Sequence, residues 1–287
     1  MENEAAIFET HRQWLLNIAY RMVGSVDEAE DLVQETWLRW QAHAAGVVQP
    51  RAWLTQTLTR LTLDFLGSAS RRRELYVGPW LPEPVRTDSE NLTGNALELA
   101  DALSMAMLVL LERLSPPERA AFLLREVFDY SYAEVADVLA ASEPNCRQLV
   151  SRAKGQLKKT RTRFDVSKTQ RRTLIQSFAQ AAQAGDMNAL LGVLAMDCTA
   201  YNDGGGKAVS ALRPVYGADR VARFMLGITR KAPVGTLVEM AMINGEPGLL
   251  TKVKGKVVTA FTFALDEQGL IYEIYTTRNP DKLKNIS

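Results

Sequence analysis

Two helices separated by a tight break are encoded by residues 131–154, SYAEVADVLAASEPNCRQLVSRAK. Ser131 and Glu134 form a capping box, in which each side chain satisfies a backbone donor that has no partner inside the helix. A short break at residues 140–142 follows, and Ser142 is the expected cap of the second helix. The pattern therefore predicts two short helices in close succession, within a first part of the chain that is helical throughout.

The second of these helices has two different faces. Apolar side chains recur at helical spacing and are predicted to face the core: Cys146, Leu149, Val150, Ala153 and Leu157. The opposite face carries the candidate DNA contacts, which are Asn145, Arg147, Gln148, Ser151, Arg152, Lys154 and Lys158. This arrangement is typical of a helix-turn-helix, whose second helix enters the major groove to read base edges and meet phosphates. On this segment alone, a solvated basic helix in an ordinary bundle is an equally good interpretation.

An acidic helix is predicted earlier in the chain, at residues 27–38, DEAEDLVQETWL, where acidic residues are dense and basic residues absent. Its apolar stripe has helical spacing and consists of Ala29, Leu32, Val33, Thr36, Trp37 and Trp40. The carboxylates therefore occupy the opposite face. A helix at about residues 5–23 precedes it, and a third helix begins at Pro50 and continues into the arginines at 71–73.

The character of the sequence changes at two further points. Residues 76–94 contain GPWLPEP, whose prolines predict a linker or an extended arm. From about residue 169, one or two helices give way to predicted strands at residues 199–202, 208–212, 236–243, 248–253, 256–264 and 270–275. Helices followed by a curled antiparallel sheet indicate an α+β domain.

The composition is that of an ordinary globular protein, with 47% hydrophobic and 23% charged residues. Residues 1–165 hold 19 basic and 23 acidic side chains, and the remainder hold 15 and 10. The two cysteines lie far apart, which favours a reducing, cytoplasmic location over a disulfide framework, and with two histidines they form no zinc-type cluster. The acidic N-terminal segment is not a secretory signal, and the longest apolar run, residues 105–111, is too short for a membrane span.

Together, the helical segments resemble an extracytoplasmic-function (ECF) RNA polymerase sigma factor of the sigma-70 family. Residues 27–40 resemble the signature of sigma region 2, residues 51–73 resemble its promoter-melting part, and residues 110–157 resemble region 4. The resemblance implies that the acidic helix binds the basic β′ clamp helices of core RNA polymerase. The implied contacts are Asp27, Glu30, Asp31, Gln34, Glu35 and Leu38.

The same resemblance implies two contacts with promoter DNA. The loop from Ala42 and the helix after it would open the −10 element, with Arg51, Arg60, Arg71, Arg72 and Arg73 as DNA contacts. Region 4 would read the −35 element and touch the polymerase β flap. Such a chain supplies the promoter address and the strand opening, and the polymerase supplies the chemistry.

The C-terminal part resembles a SnoaL-like, ketosteroid-isomerase-like cone, as in a subfamily of ECF sigma factors that share three motifs. These are WLPEP (Trp80, Leu81, Pro82, Glu83, Pro84), DGGGK (Asp203, Gly204, Gly205, Gly206, Lys207) and NPDKL (Asn279, Pro280, Asp281, Lys282, Leu283). Met196 stands where the subfamily usually has a proline. The motifs are the expected contacts through which the basic cone regulates sigma activity in cis, because a tethered partner acts at high effective concentration.

The expected fold is therefore multi-domain, with two all-α helical domains followed by an α+β SnoaL-like cone. The expected boundaries are 5–75 for region 2, 76–94 for the linker, 95–165 for region 4, 170–278 for the cone and 279–287 for the tail. We expect a non-enzymatic chain without cofactor or metal, monomeric when free, whose partners are core RNA polymerase and promoter DNA and not a membrane.

The sequence alone leaves other functions open. The cone could be a small-molecule sensor or a residual enzyme instead of a docking regulator. It contains no histidine, however, and Asp203 is the acid beside its conspicuous glycine loop. A conventional repressor or activator would need a dimer interface and two half-sites, and it would leave the acidic helix unexplained.

Overall fold

The computed structural model describes residues 4–88, 103–158 and 167–286, with the backbone alone at residues 69–74. By its contacts the chain forms two compact units. The first combines Met1–Leu75 with Met107–Thr160, and the second combines Tyr76–Ala106 with Arg161–Ser287. The linker therefore belongs to the same unit as the C-terminal domain.

The chain begins with three helices, α1 (Glu4–Val23), α2 (Val26–His43) and α3 (Pro50–Glu74). Gly24 takes a left-handed φ of 74°, which ends α1, and Ser25 accepts a hydrogen bond from the Glu28 N–H at 3.5 Å, which starts α2. The predicted stripe of α2 faces the core, since all its members are buried except Trp37, which is half-buried. The acidic face of α2 is thereby turned outward.

The chain continues with α4 (Met105–Leu111), α5 (Pro116–Phe122), a π-helical turn (Leu123–Val127), α6 (Tyr132–Leu139) and α7 (Glu143–Lys158). The helices α6 and α7 are the pair predicted from residues 131–154. Ser115 and Glu118 cap α5 reciprocally, with proline at its first positions.

Helices from the two sequence segments pack against each other within the first unit. The Tyr130 hydroxyl donates to Thr55 Oγ1 (3.0 Å), and the Gln56 amide donates to the Asp137 carbonyl (2.6 Å). The edge of one ring packs on the other where Trp14 meets Phe128, with centroids 4.7 Å apart. One helical body thus includes both segments, and the finer boundaries at 5–75 and 95–165 stay predictions.

The second unit contains α8 (Lys168–Ala184), α9 (Met187–Val193) and α10 (Ala218–Arg230) together with one sheet. Its described strands are β1 (Leu194–Asp203), β2 (Val215–Tyr216), β3 (Leu237–Ile243), β4 (Glu246–Val253), β5 (Lys256–Leu265) and β6 (Ile271–Thr277). They lie in the order β2-β1-β6-β5-β4-β3. A 3₁₀ helix, Pro280–Ile286, follows β6.

Successive side chains of a strand point to opposite faces of the sheet. Both faces of this sheet are covered by other parts of the second unit. One face packs with the helices in a core that includes Phe178, Val221, Leu249, Phe263 and Ile274. The other face packs against the tail, in a cluster of Ala241, Ile243, Leu250, Ala260, Leu283 and Ile286. The NPDKL motif is thereby anchored on the side of the sheet opposite the helices.

The structure differs from the predicted sheet in three places. First, β1 and β6 are parallel neighbours, so the sheet is mixed and the prediction of an antiparallel sheet was wrong for this pair. Second, residues 208–212 form no strand: they follow a glycine turn and precede Pro214, and Val209 is 87% exposed, so no alternating burial supports a strand. Third, the sequence pattern does not reveal α10 or β2.

Among the described residues, none of the helices combines the length and the apolar character that a bilayer crossing needs.

Candidate functional site

The acidic face of α2 is exposed at most of its positions. Asp27, Glu30, Asp31, Gln34 and Leu38 are exposed, and Leu38 keeps 52% of its surface accessible. Glu35 is half-buried and accepts a hydrogen bond from the Arg39 guanidinium at 3.2 Å, four residues later. Every predicted polymerase contact therefore lies on the side of α2 that is turned away from the core.

The predicted −10 contacts lie on α3. Arg51 and Arg60 are exposed, and the Arg51 guanidinium stacks on the Trp14 ring at 4.0 Å from its centroid. The side chains of Arg71, Arg72 and Arg73 lie outside the described residues. Trp53 is half-buried between Trp40 and His43, whose ring centroids lie 5.5 and 6.1 Å away.

The helix pair α6 and α7 is held by the predicted caps. The Ser131 N–H donates to the Glu134 carboxylate (2.7 Å), and the Glu134 N–H donates to Ser131 Oγ (3.2 Å). The hydrogen bond from the Ser131 hydroxyl lowers the pKa of Glu134. Ala140 takes a left-handed φ of 50°, which ends α6, and Ser142 Oγ accepts from the Asn145 N–H (3.4 Å) at the start of α7. The short break predicted at residues 140–142 is confirmed.

All the predicted DNA contacts on α7 are exposed, and its predicted inner face is buried or half-buried. Three of the cations are held by carboxylates of the same unit: Arg147 by Glu143 (3.0 Å), Arg152 by Glu118 (3.3 Å) and Lys154 by Glu126 (2.6 Å). Arg147 also lies over the Tyr132 ring, 4.2 Å from its centroid. The Arg147–Glu143 pair is exposed on both sides and is worth little in water, whereas Glu118 is buried. In all three pairs the cation itself is exposed and can exchange its carboxylate for a phosphate.

The side chain of Asp203 joins the linker to the sheet. Asp203 is fully buried at the end of β1, where its carboxylate accepts from the Tyr76 hydroxyl (2.6 Å), the Leu81 N–H (3.0 Å) and Lys282 Nζ (2.7 Å). Its backbone carbonyl accepts from the N–H groups of Arg278 (2.7 Å) and Asn279 (3.0 Å). Burial and the hydrogen bond to Asp203 raise the pKa of Tyr76, so the hydroxyl stays protonated as a donor.

Lys282 completes this junction from the tail. Its ammonium is buried, donates to the Leu81 carbonyl as well as to Asp203, and lies 4.1 Å from the centroid of the Trp80 ring. The ion pair and the cation–π contact together offset part of the cost of burying the charge. We call this set of contacts among Tyr76, Trp80, Leu81, Asp203 and Lys282 the linker clamp.

The glycines of DGGGK are required by close approach. A Cβ on Gly204 would lie 2.3 Å from the Ala208 carbonyl oxygen, and a Cβ on Gly205 would lie 2.3 Å from Asn279 Nδ2. Gly205 and Gly206 also take left-handed φ values of 58° and 71°. Lys207 forms an exposed ion pair with Asp281 of NPDKL. The loop therefore lies directly against the tail motif.

The rest of the linker pairs with the edge of the sheet. Arg86 and Ile243 form an antiparallel bridge, the Thr87 N–H donates to the Met242 carbonyl (2.8 Å), and the Asn244 N–H donates to the Val85 carbonyl (2.8 Å). All of WLPEP is buried except Trp80, which is half-buried, and Glu83 accepts from the Asn285 amide (3.0 Å). The structure thus brings the three predicted motifs together in one interface.

Comparisons with known proteins agree with this architecture. Family models of sigma-70 region 2 and sigma-70 region 4 match residues 7–72 and 104–157. The chain is 39% identical to the ECF RNA polymerase sigma factor SigJ of Mycobacterium tuberculosis, over 97% of this chain and 93% of that protein. The chain belongs to the ECF RNA polymerase sigma factors.

Two further matches extend over nearly the whole of this ECF sigma factor. The probable ECF sigma factor SigI of M. tuberculosis is 31% identical, over 97% of this chain and 94% of that protein. The crystal structure of SigJ matches with a TM-score of 0.79 at 36% identity, and the match covers 98% of this chain and 99% of that one. The predicted fold class, two helical sigma segments followed by an α+β domain, is confirmed.

Several residues that hold the linker of this ECF sigma factor were not predicted from the sequence. Tyr76 donates to Asp203, Asn244 Oδ1 accepts from the Val85 N–H (3.2 Å), and Arg86 pairs with Glu239 (2.7 Å). The hydrogen bond from Lys252 and the pair with Arg86 lower the pKa of Glu239. A local signal exists only for Asn244, which precedes a glycine and takes a left-handed φ of 50°. That signal indicates a turn and does not reveal the linker as a partner.

Proposed function

We propose that this ECF sigma factor binds core RNA polymerase through the acidic face of α2, contacts promoter DNA through α3 and α7, and is regulated in cis by its C-terminal domain. The observation that carries the regulatory part is the burial of Asp203, whose carboxylate is shared between the linker and the tail. The sigma function itself follows from the family to which the chain belongs.

The polymerase contact is supported by the exposure and charge of α2. Its carboxylates are concentrated in the first half of the helix, where the helix dipole favours negative charge. A basic partner such as the β′ clamp helices would be steered and oriented by this face. Leu38 adds an exposed apolar contact near the other end.

The DNA contacts are supported by the exposed polar face of α7 and by the arginines of α3. Asn145, Gln148 and Ser151 lie among cations that neighbouring carboxylates already orient. Amide and guanidinium groups can donate to base edges, while the remaining cations suit phosphates. We assign the −35 element and the β flap to the region 4 segment, and the −10 element to α3.

Regulation in cis is supported by the position of the clamped residues in the chain. Residues 76–88 begin the connection between the end of α3 at Glu74 and the start of α4 at Met105. While they are held on the sheet, they cannot serve as tether between the two sigma segments. Their release would add up to roughly 45 Å of reach, at about 3.5 Å per extended residue. The clamp can therefore set how far the two segments separate on a promoter.

The C-terminal domain could instead be a sensor or a residual enzyme and not a docking regulator. This interpretation is less favoured. Asp203, the acid beside the glycine loop, is fully buried and already engaged by Tyr76, Leu81 and Lys282. It is therefore not available as a general base. We ascribe no chemical step to the domain.

The polymerase contact is tested by reversing one charge on α2. Asp31→Lys should weaken binding to purified bacterial core RNA polymerase by about tenfold, mainly through the association rate, because steering is lost. Asp64→Lys is the matched control, since Asp64 is an exposed acid on α3. Equal affinity of Asp31→Lys and the unmodified chain, or equal losses in both variants, would refute the assignment.

A further inference from the structure

The C-terminal domain contains a cavity of about 1000 Å³ that the clamp does not use. It is bounded by α8, α10 and the helix-covered face of the sheet, and its apolar lining includes Phe178, Phe224, Met225, Ile228, Leu249 and Phe261. This volume lies at the upper end of the range for small-molecule pockets, and a mainly apolar wall with a few polar groups is typical of them.

The charged groups in the lining are cations. Arg278 and Lys231 contribute to the wall, whereas no described lining residue is an acid or a histidine. The Arg278 guanidinium donates to the Val209 carbonyl, but its Nε is buried without a described hydrogen-bond partner, and no described carboxylate pairs with it. Arg278 is half-buried, so water partly screens its charge, and its remaining guanidinium N–H groups can take a carboxylate as counter-ion.

We propose that this cavity binds an apolar molecule that carries one carboxylate, with Arg278 as its counter-ion. A guanidinium presents donors in a planar fork that matches a carboxylate. Val209 and Val238 line the cavity while exposing 87% and 38% of their surface, so the apolar wall continues to the rim.

The position of the cavity connects it to the linker clamp, and this part of the inference rests on the proposed regulation in cis. Asn202 lines the cavity and its neighbour Asp203 holds the clamp, because successive strand residues face opposite sides. Arg278 likewise lines the cavity, and its N–H and that of Asn279 both donate to the Asp203 carbonyl. A ligand that pulls on Arg278 therefore acts on a residue whose backbone is hydrogen-bonded directly to Asp203 of the clamp.

Binding is tested on the full chain with a matched pair of fluorescent probes, pyrenebutanoate and pyrenebutanol. We expect saturable, equimolar binding of pyrenebutanoate, at least about tenfold tighter than that of pyrenebutanol, because a charged hydrogen bond adds to the apolar contact. Arg278→Gln should bring pyrenebutanoate down to the affinity of pyrenebutanol and leave pyrenebutanol unchanged. Arg220→Gln, an exposed arginine of α10 outside the cavity, is its control.

A second variant blocks the cavity without disturbing its charge. Gly227 lies in α10 and lines the cavity, and a Cβ built there meets no atom within 4 Å, so Gly227→Leu should fold and occupy the space. Gly192 of α9 has the same freedom but does not line the cavity, so Gly192→Leu is the matched control. We expect Gly227→Leu to lose both probes and Gly192→Leu to bind them normally.

Equal affinity of the unmodified chain for both probes, binding that does not saturate, or normal binding by Gly227→Leu would each overturn the proposed site. These outcomes do not depend on transcription, so they are separable from failure of the regulatory proposal. The coupling is tested by promoter output with core polymerase. Pyrenebutanoate should change the output of the unmodified chain but not that of Gly227→Leu, and an unchanged output of a chain saturated with the probe would overturn the coupling.

Discussion

At the scale of the residue, two aspartates of the three motifs form ion pairs of very different burial. Asp203 is fully buried with Lys282, whereas Asp281 and Lys207 form a pair in which each side chain is about half exposed. Asp203→Asn should lower the unfolding free energy of the second unit by about 3 kcal/mol or more, because it leaves a buried ammonium without its counter-ion. Asp281→Asn should cost less than about 1 kcal/mol, because water screens an exposed pair.

Hydrogen exchange of β1 and β6 in the full chain, measured by mass spectrometry, reports the change in unfolding free energy that each substitution causes. Equal exchange in the two variants would show that the buried pair does not hold the linker.

The sequence identified Asp203 and Lys282 through motifs that resemble a known subfamily. It gave no sign of Tyr76 and only a turn signal for Asn244. Their partners lie 127 and 159 residues away in the chain, and local patterns carry no information on such contacts.

At the scale of the element, we propose that α7 combines two kinds of DNA contact, which a salt titration can separate. Lys158→Ala should weaken promoter binding by the holoenzyme on all sequences and reduce the salt slope by about 1, because one phosphate contact is lost. Gln148→Ala should relax the preference at one base pair of the −35 element by about 1–3 kcal/mol and leave the slope unchanged. Identical behaviour of the two variants would contradict their assignment.

Lys256→Ala is the control for the salt slope, because Lys256 is an exposed lysine of β5 that should not touch DNA.

The sequence predicted α6 and α7 well because their caps, Ser131 with Glu134 and Ser142, are local interactions. It failed on the parallel pairing of β1 with β6 because that register joins Ala200 to Ile274 across the intervening strands and α10. Short β-rich runs specify a strand but not its neighbour.

At the scale of the whole molecule, the proposed regulation in cis depends on which of the two units holds the linker. The linker between the sigma segments belongs, by its contacts, to the C-terminal unit. The sequence predicted the order of the segments and the three motifs, but it could not show that residues 76–88 lie on the sheet. The two segments that we propose to contact the −10 and −35 elements are therefore joined through a stretch that another part of the chain holds.

Regulation in cis is tested most directly by run-off transcription from one promoter with purified core RNA polymerase. The full chain is compared with a chain ending at Lys168 and with one lacking residues 279–287, which removes Lys282 from the clamp. We predict that both shortened chains differ from the full chain by at least about fivefold in transcript, because the linker is released. Equal transcript levels from all three chains would contradict the account.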